Sequence, residues 1–127
     1  MTIAEYQKPV KAHLLSSAII SSFRVVRERE TQEDGHLRVR LTLTDESLLE
    51  SSEYVRRSLD GEITVITYSY HWADSEQNLI RRWDNVPNYP DLPNAPHHIH
   101  DGKANQVVPG VPVDIYAVLE IIQNEIS

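Results

Sequence analysis

The chain has no cysteine among its 127 residues. That excludes a disulfide framework, cysteine-ligated zinc and iron–sulfur clusters. Glycine is scarce, with four residues. None stands in a G-x-G or Walker pattern, so there is no glycine-rich phosphate loop. Nor is there a G-x-S-x-G nucleophile elbow. No apolar run is long enough to span a membrane. Met1-Thr2-Ile3-Ala4-Glu5 lacks the basic-then-apolar order of a signal peptide. These absences set the expectation of a cytoplasmic protein with no membrane contact. Positive charge is in deficit as well, the formal net charge being −7. Proteins that grip nucleic acid through its phosphates usually carry a basic footprint. A nucleic-acid role here would need a local basic patch on an acidic body, or a basic partner.

What is present suits a folded domain. Hydrophobic residues make up 40% and charged residues 24%, a balance that favours an ordered core over disorder. The length suits a single domain over residues 1–127.

Thr2-Ile3-Ala4-Glu5 has the form of a capping box. Ile3, Tyr6, Val10 and Leu14 follow at helical spacing. Pro9 falls inside that pattern, which predicts a broken helix over residues 2–17. Ile20 to Glu30 reads as a strand, and Glu33-Asp34-Gly35 as a turn. Leu37, Val39, Leu41 and Leu43 alternate with Arg38, Arg40, Thr42 and Thr44. This period of two predicts a strand with one wet and one buried face. Leu48 to Arg57 is a weaker strand whose Leu-Leu-Glu opening is also compatible with a helix. Glu62 to Trp72 is a strand with Ile66, Tyr68, Tyr70 and Trp72 on one face and Ile63, Val65 and Thr67 on the other. Apolar groups on both faces predict a central strand packed on both sides. Leu79 to Asp84 returns antiparallel. Residues 85–112 hold six prolines and read as one ordered loop. Pro112 suits the first turn of a last helix, whose apolar face is Ile115, Val118, Leu119, Ile122 and Ile126. The expected fold is α+β: an antiparallel meander of about five strands flanked by an N-terminal and a C-terminal helix.

Half of the six histidines, His97, His98 and His100, fall within four positions. His98 and His100 are two apart, so in extended backbone they point the same way and His97 points elsewhere. Imidazole can change charge near neutral pH and is the commonest metal ligand. Three roles are open. The histidines can hold the loop by bonding backbone. They can bind a metal with Asp84, Asp101 or His71, although the spacing matches no specific zinc pattern. Or they can move protons in RNA cleavage, which needs a base, an acid and a cation at the phosphate. Arg81 and Arg82 can supply the cation, with Tyr70 on the strand expected beside them. Arg24, Arg38 and Arg40 can share a sheet face. Asp84-Asn85-Val86-Pro87 suits turn formation, and Asn85 reads as structural.

The elements Tyr68-Ser69-Tyr70-His71-Trp72, Arg82-Trp83-Asp84-Asn85-Val86-Pro87, Pro90, Pro93 and Pro96-His97-His98-Ile99-His100 resemble the TumE family of prokaryotic toxin–antitoxin toxins. The D-N-x-P and P-H-H-x-H elements at this separation are distinctive. Asn88 and Tyr89 stand where many members carry a further histidine. The resemblance implies a cytoplasmic toxin with a cognate helix-turn-helix antitoxin as partner. The helix–meander–helix order is also similar to that of RelE-type ribonuclease toxins, an analogy of fold. Taken together, the expectation is a metal-independent ribonuclease without cofactor, acting on RNA, with a homodimer as one possible assembly. Its candidate catalytic residues are His97, His98, His100, Arg81, Arg82, Asp84 and Tyr70. The alternatives are a non-enzymatic protein-binding module with a structural His/Pro-rich loop, and a metal-dependent hydrolase.

Overall fold

The computed structural model describes residues 1–126. Helix α1 spans Ile3–Ser16 and helix α2 Ile115–Ile126. Between them lie β1 (Ile20–Glu30), β2 (Asp34–Leu43), β3 (Leu48–Arg57), β4 (Ile63–Ala73), β5 (Leu79–Asp84), β6 (His98–Asp101) and β7 (Gln106–Pro109). All seven pair antiparallel in sequence order. The fold is α+β, but the meander has seven strands where about five were expected. The two extra strands are β6 and β7, both inside the stretch that reads as loop. Each is only four residues long, too short to show a period. The loop proper is the segment between β5 and β6.

Thr2 caps α1 by the expected box: its hydroxyl accepts from Glu5 N–H, while the Glu5 carboxylate accepts from Thr2 N–H. Contrary to expectation, the helix is not broken at Pro9. Pro9 is exposed, so the helical carbonyl it leaves without a partner lies on the wet side, where water can take the bond. At the other end, Asp114 caps α2 by accepting from Ala117 N–H at 2.8 Å. Pro112 therefore precedes the helix rather than opening it.

Both helices cover one face of the sheet. Val10 and Leu14 of α1, and Ile115, Val118, Leu119 and Ile122 of α2, share a core with Leu37, Val39, Leu41 and Leu43 of β2. Leu49, Tyr68, Tyr70, Trp72 and Trp83 complete it. The opposite face stays open, so β4 is central but packed on one side only. Its alternation also slips. A bulge between the pairs Tyr54↔Thr67 and Val55↔Val65 turns Ile66 outward and brings Val65 against the core with Tyr68. A bulge inserts one residue and inverts the facing beyond it, which a strict period of two cannot anticipate.

Candidate functional site

The registers of the six strand pairs place polar side chains in continuous rows across the open face. One row runs Arg24, Arg40, Glu50, His71, Arg82, His100 from β1 to β6. The next runs Arg27, Arg38, Ser52, Ser69, Asp84, His98. Directly paired residues in an antiparallel ladder share a face, so the rows are a consequence of register. Arg29 and Arg56 stand on the same face by the same rule, paired with His36 and Asp34. The strand carboxylates there are Asp34, Glu50 and Asp84. An acidic chain thus presents an arginine-rich sheet face. Glu50 holds Arg38 Nε at 2.5 Å and Arg40 Nε at 3.2 Å. A hollow of about 420 Å³ lies between Arg38, Glu50, Ser52, Ser69, His71 and Arg82.

At the β5–β6 end the rows close into a cluster. His98 Nε2 is 2.8 Å from Asp84 Oδ1 and 3.1 Å from His100 Nε2. His100 Nε2 is 3.5 Å from Asp84 Oδ2. Arg82 Nε donates to Asp84 Oδ2 at 2.9 Å, and Val86 N–H donates to Oδ1 at 3.1 Å. Asp84 and His98 are each 2% exposed, whereas the side chain of His100 keeps 27%. His100 is therefore the side of the cluster open to solvent. The Tyr89 ring packs on both imidazoles, 4.8 Å from His98 and 5.7 Å from His100. Burial, the nearby His98 and the Arg82 charge outweigh Asp84 in lowering the pKa of His100. His71 shifts the same way, by burial first and then by Arg82.

The seven candidate residues divide between the two faces. Arg82, Asp84, His98 and His100 come together on the open face. His97 lies on the other, its ring stacked on Tyr68 and its Nδ1 2.8 Å from the Tyr68 hydroxyl. Burial and the Asp84 charge push that hydroxyl up to about 12. Tyr70 is fully buried and donates to Glu53 Oε2 at 2.5 Å. Arg81 also faces the helix side. It pairs with Glu125 of α2 at 2.7 Å and lies over Trp72 and Trp83. The sequence placed His71 among possible metal ligands only. Its position opposite Arg82 becomes visible once the β4–β5 register is known. Asn85 bonds backbone, as its motif suggested: Oδ1 accepts from Tyr68 N–H at 2.9 Å and Nδ2 donates to Ile66 O at 3.0 Å. It spans the β4 bulge just beyond the end of β5. The D-N pair therefore does two jobs, with Asp84 in the cluster and Asn85 in the frame beneath it.

A family model described as toxin TumE matches residues 10–127. No curated protein and no solved structure matches the chain.

Proposed function

The chain belongs to the toxin TumE family, and from that membership we propose that this toxin cleaves RNA laid across the open face of its sheet. The reaction centre is Asp84, His98 and His100, with Arg82 beside them. The observation that carries this is the pair of rows: arginines along β1, β2 and β5 lead to a buried carboxylate–imidazole cluster. Arginines spaced over a sheet suit a phosphate backbone. In the reaction a base takes the proton of a ribose 2′-hydroxyl. That oxygen attacks the adjacent phosphorus, the bond to the 5′-oxygen breaks, and an acid returns a proton to it. The products are a 2′,3′-cyclic phosphate and a 5′-hydroxyl. Arg82 faces the charge that builds on the phosphate.

The metal-independent form of this chemistry needs imidazole nitrogens free to meet substrate. His98 offers none, because Nδ1 lies 2.8 Å from Pro96 O and Nε2 is turned to Asp84 and His100. The task then falls to His71 and His100, which flank Arg82 in one row. A metal-assisted route is favoured by a different observation, the convergence of both Nε2 atoms on the Asp84 carboxylate.

Neutralisation is assigned to a cognate helix-turn-helix antitoxin, and the cytoplasm is the expected place of action. The test combines induction in cells with purified toxin on end-labelled RNA. Growth arrest with cyclic-phosphate ends, both lost in His100→Ala, is the expected result. Arrest that persists while RNA stays intact would sink the ribonuclease reading.

A further inference from the structure

We propose that Asp84, His98 and His100 form a binding site for one divalent transition-metal ion of the zinc class. The argument starts from the His98 ring. Its Nδ1 is 2.8 Å from the Pro96 carbonyl oxygen, which can only accept. The ring proton therefore sits on Nδ1, and in the neutral ring Nε2 carries a lone pair. That lone pair points at Asp84 Oδ1, 2.8 Å away, and at His100 Nε2, 3.1 Å away. An acceptor facing a carboxylate oxygen this closely, at a residue 2% exposed, is repulsive unless a proton or a metal cation stands between the two. An extra proton can bridge one such pair. A cation serves all three groups at once.

The distances fit. Zinc binds imidazole nitrogen and carboxylate oxygen at about 2.0–2.2 Å, so neighbouring ligand atoms in a tetrahedron around it lie about 3.3–3.6 Å apart. His100 Nε2 and Asp84 Oδ2 are already at that spacing, 3.5 Å apart, while His98 Nε2, at 2.8 Å from Asp84 Oδ1 and 3.1 Å from His100 Nε2, needs to open by only a few tenths of an ångström to admit the ion. The surroundings fit as well. A metal-bound imidazole commonly gives its other N–H to a carbonyl, and a metal-bound carboxylate is itself held by donors. Pro96 O does the first for His98; Arg82 and Val86 N–H do the second for Asp84. Two imidazoles and one carboxylate select a borderline ion over magnesium, which prefers oxygen and its own waters. Three protein ligands leave a coordination position for water, as in catalytic zinc sites.

The use of the ion rests on the ribonuclease reading; its binding does not. Water on such an ion loses a proton near neutral pH. Held by Asp84, His98 and His100, the ion would supply through that water a base for the 2′-hydroxyl proton of RNA. The 5′-oxygen that leaves takes its proton from solvent.

Binding is tested on the untagged full chain, stripped with chelator, dialysed and titrated by calorimetry with zinc ion alone and with magnesium ion alone. One zinc per chain at micromolar affinity or tighter, with no comparable magnesium binding, is expected. His100→Ala should weaken zinc binding 100-fold or more, and His13→Ala on α1 should leave it unchanged. Because His98 is buried and its variants can unfold, a second readout is the rise in melting temperature on adding zinc. That rise should be present in wild type and absent in His100→Ala. Wild type without stoichiometric zinc, or His100→Ala binding as tightly as wild type, overturns the site. Tight zinc binding with RNA left intact supports the site and overturns the ribonuclease reading. Stripped toxin that cuts RNA at full rate in chelator overturns the role of the ion in cleavage.

Discussion

At the scale of single residues, position relative to the sheet decides what a side chain can do. Tyr70 shows this. It stands among candidates for chemistry, yet its hydroxyl is buried among helices and strands and donates to Glu53. Tyr6 adds a second donor to the same carboxylate at 3.2 Å. Tyr70→Phe leaves a buried acceptor short of a partner, which costs about 1–3 kcal/mol. The expected outcome is a lower urea midpoint with cleavage per folded molecule unchanged; a large loss of turnover in a fully folded variant would refute it. Glu53 itself has its pKa raised above 4.5, burial outweighing the two tyrosine hydrogen bonds. The sign follows from linkage. The folded state holds the Glu53 proton more tightly than the unfolded state, so this stabilisation is complete below about pH 4.5 and is lost as pH rises through the raised value. Glu53→Gln, which has no carboxyl proton to lose, should show a flatter stability profile over that window. A profile parallel to wild type would mean that Glu53 is not the group responsible.

At the scale of elements, periodicity and capping were readable wherever one residue type repeats along one segment. The Thr2–Glu5 box, the Leu37–Leu43 alternation and the apolar stripe of α2 all behave so. What could not be read depends on partners distant in sequence. β6 becomes a strand because β5 and β7 flank it, and it places His98 and His100 on the face that holds Asp84. No local pattern in Pro96–Asp101 states this. Gly102 marks the same junction. A Cβ there would lie 1.8 Å from the Leu79 carbonyl oxygen, and backbone cannot yield as a side-chain tip can. Gly102→Ala should therefore shift β6 against β5 and lower stability by at least ~1–3 kcal/mol. Zinc affinity should fall with it, since Asp84 and His98 sit on opposite sides of that seam. Unchanged stability on thermal unfolding would show that the seam relaxes freely. Pro9 offers the opposite case. Pro9→Ala restores an N–H inside α1 and is expected to raise stability, by up to about 3 kcal/mol.

At the scale of the whole molecule, net charge conceals distribution. A value of −7 argues against phosphate binding only if charge is spread evenly. Strand register instead gathers Arg24, Arg27, Arg38, Arg40 and Arg82 on one open face. Lys11 pairs with Glu28, and Arg81 with Glu125 on the helix side. Binding through such a face must carry the signature of counterion release. For single strands the salt slope changes by about 0.7 for each phosphate that the protein neutralises. Arg24 and Arg40 are paired across the first two strands, far along the row from the cluster. Replacing both by alanine should weaken RNA binding and flatten its dependence on salt by roughly 1.4, the value for two phosphates. Zinc affinity should not change, because neither residue touches Asp84, His98 or His100. Fluorescence anisotropy with a short labelled RNA over a salt series measures both slopes. Equal slopes in the two proteins would mean that RNA does not lie along β1 and β2. The arginine rows would then serve another acidic surface, such as one on the antitoxin, and the cluster at the β5–β6 end would have to bind its substrate unaided by them.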